Sequence, residues 1–181
     1  HQLRHIERVM NSTGLKIEGL HMHTGSEIKE PDVFLQGLDI MFELSEHFPA
    51  LKYIDMGSGF KVPYQKDDLE TDVPSLGKKV EHALKEFSKK TGKKVDLWFE
   101  PGKFLVSKSG HFLVKANVIK HTTATVFAGV NSGFNHLIRP MFYDSYHVIE
   151  NLSNPKGTER IYTVVGNICE TDTFAWDRKI T

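Results

Sequence analysis

The sequence predicts an α/β fold in its first part and a mostly β fold in the rest. In the first part, short apolar runs alternate with segments whose apolar residues recur at helical spacing. Runs that are almost continuously apolar are typical of parallel strands covered on both faces. Beyond residue 104, β-branched and aromatic runs separated by Gly, Asn and Pro replace this alternation. We therefore expect two domains, residues 1–104 and residues 105–181.

Three apolar runs of the first part are predicted to be buried parallel strands, at residues 15–22, 51–56 and 95–99. Helical segments precede and separate them, so the chain alternates between strand and helix. This alternation indicates parallel βα units of a barrel or of a doubly wound sheet. Three such units are too few to close a barrel.

The predicted helices are identified by apolar residues three and four positions apart. These residues are Leu3, Ile6, Val9 and Met10 in the first helix, Phe34, Leu38, Met41 and Phe42 in the second, and Val80, Leu84 and Phe87 in the third. We expect Gly14 to close the first helix, because glycine is common just past a helix end. By the same criteria Ser75 is expected to cap the third helix and Gly92 to follow its end.

Four runs of the second part are predicted to be mostly antiparallel strands, at residues 112–119, 122–130, 143–149 and 161–165. The turns between them contain Gly, Asn and Pro.

In the first part, the long acidic loop at residues 63–74 is expected to be a mobile surface segment.

Composition excludes several classes of function. Lys plus Arg and Asp plus Glu number 23 each, so no net charge attracts nucleic acid or an anionic membrane. No apolar run approaches the roughly 20 residues of a membrane span. The single cysteine, Cys169, cannot form an internal disulfide. We expect a cytoplasmic protein, and a start at His1 rather than Met suggests a piece of a longer chain.

Each of the three predicted βα strands ends in residues suited to chemistry, at positions 19–26, 55–60 and 100–103. In a barrel, the carboxyl ends of the strands share the face that holds active sites. Glycine-rich turns there would present backbone N–H groups to a phosphate. Each signal alone has a plain alternative, such as a tight turn at residues 57–59 or a structural histidine at His23. Three in one chain favour a functional site.

A second group of candidate residues lies in the β-rich part. Arg139 precedes Tyr143 by four residues, and a guanidinium can bind a carboxylate through two parallel hydrogen bonds. The alternative is a surface ion pair followed by a core tyrosine. Cys169 and Glu170 follow an apolar strand, where the alternative is a buried and inert cysteine.

Five blocks of the sequence, in this order, resemble the decarboxylase family of pyridoxal-phosphate enzymes with the alanine-racemase-like fold. The family pattern contains Gly-Leu-His-x-His-x-Gly-Ser, Gly-Gly-Gly-Phe, Glu-Pro-Gly-Arg, Leu-Ile-Arg-Pro-x-x-Tyr-x-x-Tyr-His and Gly-Pro-x-Cys-Glu. The corresponding residues here are 19–26, 57–60, 100–103, 137–147 and 166–170. The resemblance implies the C-terminal part of a pyridoxal-phosphate-binding (β/α)8 barrel, followed by part of a mostly antiparallel β domain.

The resemblance also implies which residues contact pyridoxal 5'-phosphate. Glu100 would keep the pyridine nitrogen protonated, which makes the ring an electron sink for the carbanion left by carbon dioxide. His23 would stack on the ring. The residues implied around the phosphate are Ser26, Gly57, Ser58, Gly59, Gly102 and Lys103. No metal ion is expected.

For Arg139 and Tyr143, the resemblance implies binding of the substrate carboxylate or of groups on the phosphate side. Cys169, as a proton donor, and Glu170, as a contact to the distal amino group, would reach into the site of a neighbouring subunit, so a homodimer with shared sites is implied. Glu170 and the run at 171–180 resemble the branch of the family that converts meso-diaminopimelate to L-lysine and carbon dioxide, the last step of lysine biosynthesis.

Some residues depart from the family pattern. The family's Schiff-base lysine would lie upstream of His1, and neither Lys16 nor Lys61 fits its motif, so this chain alone is expected to be inactive. Lys103 replaces an arginine, and Ser58 replaces a glycine that could require a positive φ. Two alternatives therefore stay open. One is a non-catalytic binding or regulatory homologue, and the other is a decarboxylase of carboxynorspermidine, ornithine or arginine.

Overall fold

A computed structural model describes residues 2–181, which divide into two compact units. The first unit comprises the described residues through Pro63 together with Leu69–Ser109. The second comprises Tyr64–Asp68 and Gly110–Thr181. Within the described residues, no helix combines the length and the apolar character needed to span a membrane.

The first unit alternates strands and helices around a parallel sheet. Its elements are α1 (Gln2–Thr13), β1 (Gly19–His21), α2 (Pro31–Ser45), β2 (Tyr53–Asp55), α3 (Val73–Thr91), β3 (Asp96–Trp98) and α4 (Gly102–Val106). The strand order is β1-β2-β3, and both pairings are parallel. The predicted alternation of parallel strands and helices is confirmed, although each strand is only three residues long.

The core of the first unit lies between α2, α3 and the sheet. Phe34, Leu38 and Met41 recur at helical spacing on the buried face of α2, as predicted. Ile54 in the middle of β2 is fully buried. The other buried members of this core are Phe48, Leu51, Met56, Phe60, Leu76 and Val80. Full burial was predicted for all three strands and is wrong for β1 and β3, where His21, Asp96 and Trp98 are exposed.

The helix ends of the first unit follow local rules. Gly14 and Gly92 both adopt φ 71°, the left-handed conformation that glycine adopts most readily, directly after α1 and α3. The predicted cap at Ser75 is wrong. Asp72 is the N-cap of α3, and its carboxylate accepts a hydrogen bond of 2.9 Å from the backbone N–H of Ser75. Aspartate is as good a cap as serine, and its position three residues earlier adds almost one turn to the helix.

The loop at residues 63–74 is attached to the first unit near its C-terminal end. Thr71 is buried, and its hydroxyl donates to the Ile28 carbonyl at 2.6 Å. The same hydroxyl accepts from the Lys61 N–H at 2.7 Å. The mobility expected of the remaining loop stays a prediction.

The second unit is built on a four-stranded sheet. Its elements are β4 (Ala116–His121), β5 (Val126–Val130), α5 (Arg139–Tyr143), β6 (Arg160–Val165) and β7 (Thr173–Ile180). β4 pairs antiparallel with β5 and β6 pairs antiparallel with β7, whereas β5 and β6 are parallel. Its small core contains Val130, Val164, Phe174 and Ala175. The predicted boundary between two domains after residue 104 stays a prediction.

Three strand predictions for the second unit are wrong in whole or in part. The strand predicted at 112–119 begins only at Ala116 and extends to His121 as β4. Residues 143–149 form no strand. Tyr143 is the last residue of the short helix α5, which has Pro140 in its first turn and ends at Asp144 with φ 50°. The predicted strand at 122–130 begins only at Val126, since the Thr122 hydroxyl donates to the Thr125 carbonyl in a turn. β7 has no counterpart among the predicted strands.

Candidate functional site

The carboxyl ends of the three parallel strands lie at one edge of the sheet in the first unit. His21, Asp55 and Trp98 are register partners across β1, β2 and β3. The ladder continues past the strands: the Met22 N–H donates to the Asp55 carbonyl and the Met56 N–H to the Trp98 carbonyl, both at 2.9 Å. The segments predicted to carry chemistry are therefore brought together in this unit.

Glu100 is fixed at this edge by its backbone and by one histidine. Its N–H donates to the Gly57 carbonyl at 2.6 Å, and its Oε2 lies 3.2 Å from Nε2 of His21. Asp55 completes a group of three side chains whose ligand atoms lie within 4.8 Å of one another. Both His21 and Glu100 are more than half exposed, so the carboxylate is accessible to a ligand.

His21 was not among the predicted site residues. It lies two positions before His23, and side chains two apart in a strand share a face. That spacing could have indicated both histidines. The prediction chose His23 because of its place in the family pattern.

Two backbone N–H groups of the glycine turn after β2 donate hydrogen bonds to side chains. The Gly57 N–H donates to Oδ1 of Asp55 at 2.8 Å, and the Ser58 N–H donates to Nδ1 of His23 at 3.3 Å. In the described structure, two of the three N–H groups predicted to face a phosphate thus have side-chain acceptors. His23 accepts through Nδ1, so that nitrogen is unprotonated in this arrangement.

Glycine is required at two positions of this turn. Gly57 has φ 64°, and a Cβ there would lie 2.4 Å from the Met22 carbonyl oxygen. Gly59 has φ 120°, and its Cβ would lie 2.5 Å from the Gly25 carbonyl oxygen. Ser58 is not among the residues with positive φ, which explains why serine is accommodated where the family pattern has glycine.

The remaining predicted phosphate residues are Ser26, Gly102 and Lys103. Ser26 is exposed in the loop after β1, and Gly102 donates its N–H to the Glu100 carbonyl at 2.7 Å. Lys103 forms a hydrogen-bonded ion pair with Glu27, which follows Ser26 directly. A cation is thus present at the position where the family pattern has arginine.

In the second unit, Arg139 is the centre of a polar and aromatic cluster. Its Nη2 donates to Tyr64 Oη at 3.1 Å and to Ser145 Oγ at 3.2 Å. The guanidinium lies 5.8 Å from the ring centroid of Tyr143, which is mostly exposed. Burial of the imidazole, followed by the charges of Arg139 and Arg178, lowers the pKa of His147. Tyr143 is exposed, so the alternative of a core tyrosine is wrong. Arg139 donates to hydroxyl groups in the described structure, in place of the surface ion pair of that alternative.

Cys169 and Glu170 are both exposed in the loop between β6 and β7. The alternative of a buried cysteine is wrong. The loop is organised by buried Asp172, whose carboxylate accepts from the N–H groups of Phe134 at 2.8 Å and Ile168 at 3.0 Å. Asp172 was not predicted, because its partners are 38 and 4 residues away and leave no local pattern.

The chain is similar to known proteins over most of its length. Residues 1–107 match the family described as pyridoxal-dependent decarboxylase, pyridoxal-binding domain. A diaminopimelate decarboxylase of Methanothermobacter thermautotrophicus is 30% identical over 97% of this chain, which covers 42% of that relative.

Solved structures give the same result. A crystal structure of diaminopimelate decarboxylase superposes with a TM-score of 0.89 at 29% identity, covering 98% of this chain and 45% of that one. The diaminopimelate decarboxylase of Methanocaldococcus jannaschii in complex with L-lysine gives 0.86 at 26% identity, covering 99% and 42%. The predicted fold class, part of a barrel followed by part of a β domain, is confirmed. The chain spans less than half the length of each of these relatives.

Proposed function

Because the chain belongs to the pyridoxal-dependent decarboxylases, we propose that it is part of an enzyme that converts meso-diaminopimelate to L-lysine and carbon dioxide. The observation that carries the proposal is the Glu100 carboxylate, accessible at the strand ends and 3.2 Å from His21. The diaminopimelate decarboxylases similar to this chain support the choice of substrate, and one of them binds L-lysine.

The residues of the first unit suit pyridoxal 5'-phosphate, the cofactor of the family. A carboxylate such as Glu100 favours a protonated ring nitrogen. A side chain at Gly59 would clash with the Gly25 carbonyl, so no side chain covers the backbone at this position. Ser26 offers a hydroxyl and Lys103 a cation for a phosphate. When bound, the cofactor supplies an electron sink for the electron pair that carbon dioxide leaves behind.

Each residue of this unit has a defined task in the proposal. Glu100 holds the proton of the ring nitrogen, and His21 positions the Glu100 carboxylate through the 3.2 Å contact. His23 packs its ring against the cofactor and keeps its orientation by accepting the Ser58 N–H. The phosphate is held by Ser26, Gly59 and Lys103. Gly57, Ser58 and Gly102 line it, because their N–H groups donate to Asp55, His23 and the Glu100 carbonyl.

Residues of the second unit are proposed to bind the substrate and complete proton transfer. Arg139 presents a guanidinium suited to a substrate carboxylate, with Tyr143 beside it. Exposed Cys169 donates a proton to the substrate carbon, and Glu170 binds the distal amino group. Both act in the site of a second copy of the chain, so we propose a homodimer, located in the cytoplasm.

The test uses protein expressed from its complete reading frame and loaded with pyridoxal phosphate. We expect carbon dioxide release with meso-diaminopimelate and L-lysine as the product, at a rate well above that with ornithine, arginine or carboxynorspermidine. Intact mass after borohydride reduction should show one cofactor adduct per chain. Binding of pyridoxal phosphate in an absorbance titration, without an adduct and without turnover, would favour the non-catalytic homologue that has lost the Schiff-base lysine. No binding in that titration would refute the cofactor assignment.

A further inference from the structure

Glu27 lies between two lysine side chains at the carboxyl ends of the parallel strands. Its Oε2 is 3.5 Å from Nζ of Lys61, and its Oε1 accepts a hydrogen bond from Nζ of Lys103. The three residues follow β1, β2 and β3 respectively, so each comes from a different strand end. Two ammonium groups therefore converge on one carboxylate.

The two lysines differ from the surface lysines of the same unit in their exposure. The side chain of Lys61 is 18% exposed and that of Lys103 is 31% exposed, whereas Lys52, paired with Glu18 at 2.7 Å, is 66% exposed. Partly buried charges are screened less by water and salt than exposed ones. An anion at this position is therefore attracted more strongly than one on the open surface.

The backbone holds Glu27 against the glycine turn. The Ile28 N–H donates to the Gly59 carbonyl at 2.8 Å, and the two chains form an isolated parallel bridge between Ile28 and Phe60. Glu27 itself has φ 63°, in the left-handed region that non-glycine residues adopt infrequently. The Glu27 carboxylate is thus placed beside the residues proposed to hold a phosphate.

We propose that Lys61 and Lys103 form a two-lysine subsite for a phosphate dianion, and that the Glu27 carboxylate is displaced from them when the dianion binds. The inference rests on the proposed function, in which the dianion is the phosphate of pyridoxal phosphate. Two ammonium groups and one carboxylate leave one positive charge, whereas a phosphate monoester carries about −1.5 to −2 at neutral pH. Both lysines neutralise the phosphate more completely once Glu27 has turned away.

The experiment compares two cofactor forms that differ only in the phosphate. Dissociation constants of pyridoxal phosphate and of pyridoxal are measured by absorbance titration of the apoprotein, expressed from its complete reading frame. Lys61→Met is expected to weaken pyridoxal phosphate binding about tenfold and pyridoxal binding less than about twofold. Glu27→Gln is expected to tighten pyridoxal phosphate binding about threefold and to leave pyridoxal unchanged.

Lys52→Met and Glu18→Gln are the matched controls, because this ion pair lies at the opposite, amino end of β2. Both should leave the ratio of the two dissociation constants unchanged. If Lys61→Met does not fold by circular dichroism, Lys61→Arg keeps the charge and should keep the ratio within about threefold of the unsubstituted protein.

Equal weakening of both cofactor forms by Lys61→Met would overturn the subsite, since Lys61 would then act on the fold alone. Weaker pyridoxal phosphate binding in Glu27→Gln would overturn the displacement of Glu27. If the unsubstituted protein binds neither form, the proposed function fails together with the subsite. Normal binding by the unsubstituted protein with no phosphate-selective effect at Lys61 refutes the subsite alone.

Discussion

The strand-end residues of the first unit and the Arg139 cluster of the second are positioned by different means. Glu100 is placed by its backbone, whose N–H donates to the Gly57 carbonyl as an extension of the parallel ladder. Arg139 is placed by side chains, through hydrogen bonds to Tyr64 and Ser145 and a ring contact with Tyr143.

This difference determines what a substitution does. A backbone hydrogen bond survives the replacement of a side chain, so a change at the strand ends should alter the chemistry and leave the geometry intact. In a side-chain network, replacing one member leaves its partners unsatisfied and alters both. The predictions below test this contrast, two in each unit.

The largest effect is expected for Glu100→Gln in the loaded enzyme. The amide keeps the shape and the backbone contact but no longer secures a protonated ring nitrogen, so turnover should fall about 10²- to 10³-fold. The dissociation constant of pyridoxal phosphate should change less than about tenfold. Steady-state kinetics and cofactor titration measure the two, with Glu18→Gln as a control carboxylate at the other end of the sheet. Near-normal turnover would remove Glu100 from the proposed mechanism.

Gly59→Ala is expected to disrupt the glycine turn whose backbone helps to position Glu100. The methyl group would lie 2.5 Å from the Gly25 carbonyl oxygen at φ 120°, so the free energy of unfolding should fall by about 1–3 kcal/mol and phosphate-dependent cofactor binding should weaken. Gly77→Ala is the matched control: it lies inside α3 with open space around its Cβ position, and the alanine should stabilise the helix by up to about 1 kcal/mol. Equal unfolding curves for the two variants would show that the turn accepts a side chain.

The first unit was predicted from the sequence more fully than the second. The helix faces of α2 and α3 were predicted because the spacing of apolar residues is a local property. The polar segments at the strand ends were recognised because each directly follows an apolar run. The Glu100–His21 contact joins residues 79 apart, and only the paired strands bring them together. It was missed although both residues lie in predicted motifs.

The second unit was predicted less well, for a physical reason. Tyr143 belongs to an aromatic run typical of a strand, but Pro140 and the left-handed Asp144 turn this segment into a short helix. Asp172 stabilises the loop of Cys169 through backbone N–H groups that are brought to it by tertiary structure alone. Neither outcome is encoded in a repeating pattern.

Asp172→Asn tests the side-chain-held region. The asparagine amide places an N–H₂ group against N–H donors, so one of the contacts to Phe134 or Ile168 should be lost. We expect a loss of about 1–2 kcal/mol in unfolding free energy and faster hydrogen exchange in peptides covering residues 166–172. Asp177→Asn, an exposed residue of β7, is the control and should leave exchange in that loop unchanged. Unchanged exchange in Asp172→Asn would show that the loop is held by other contacts.

The smallest effect is expected for the pH dependence of the Arg139 cluster. Burial and the charges of Arg139 and Arg178 lower the pKa of His147 below the value of 6.5 that it has in the unfolded chain. Between the two pKa values the unfolded state binds more protons than the folded state, so stability should fall as the pH drops through 6.5 and level off below the folded pKa. His147→Gln should remove this contribution, which urea unfolding across that range would show as a shallower slope. His5→Gln, on the exposed surface of α1, should retain the original slope. A slope that His147→Gln leaves unchanged would mean that the cluster tolerates a protonated imidazole, and that the charges of Arg139 and Arg178 do not act on His147 as proposed.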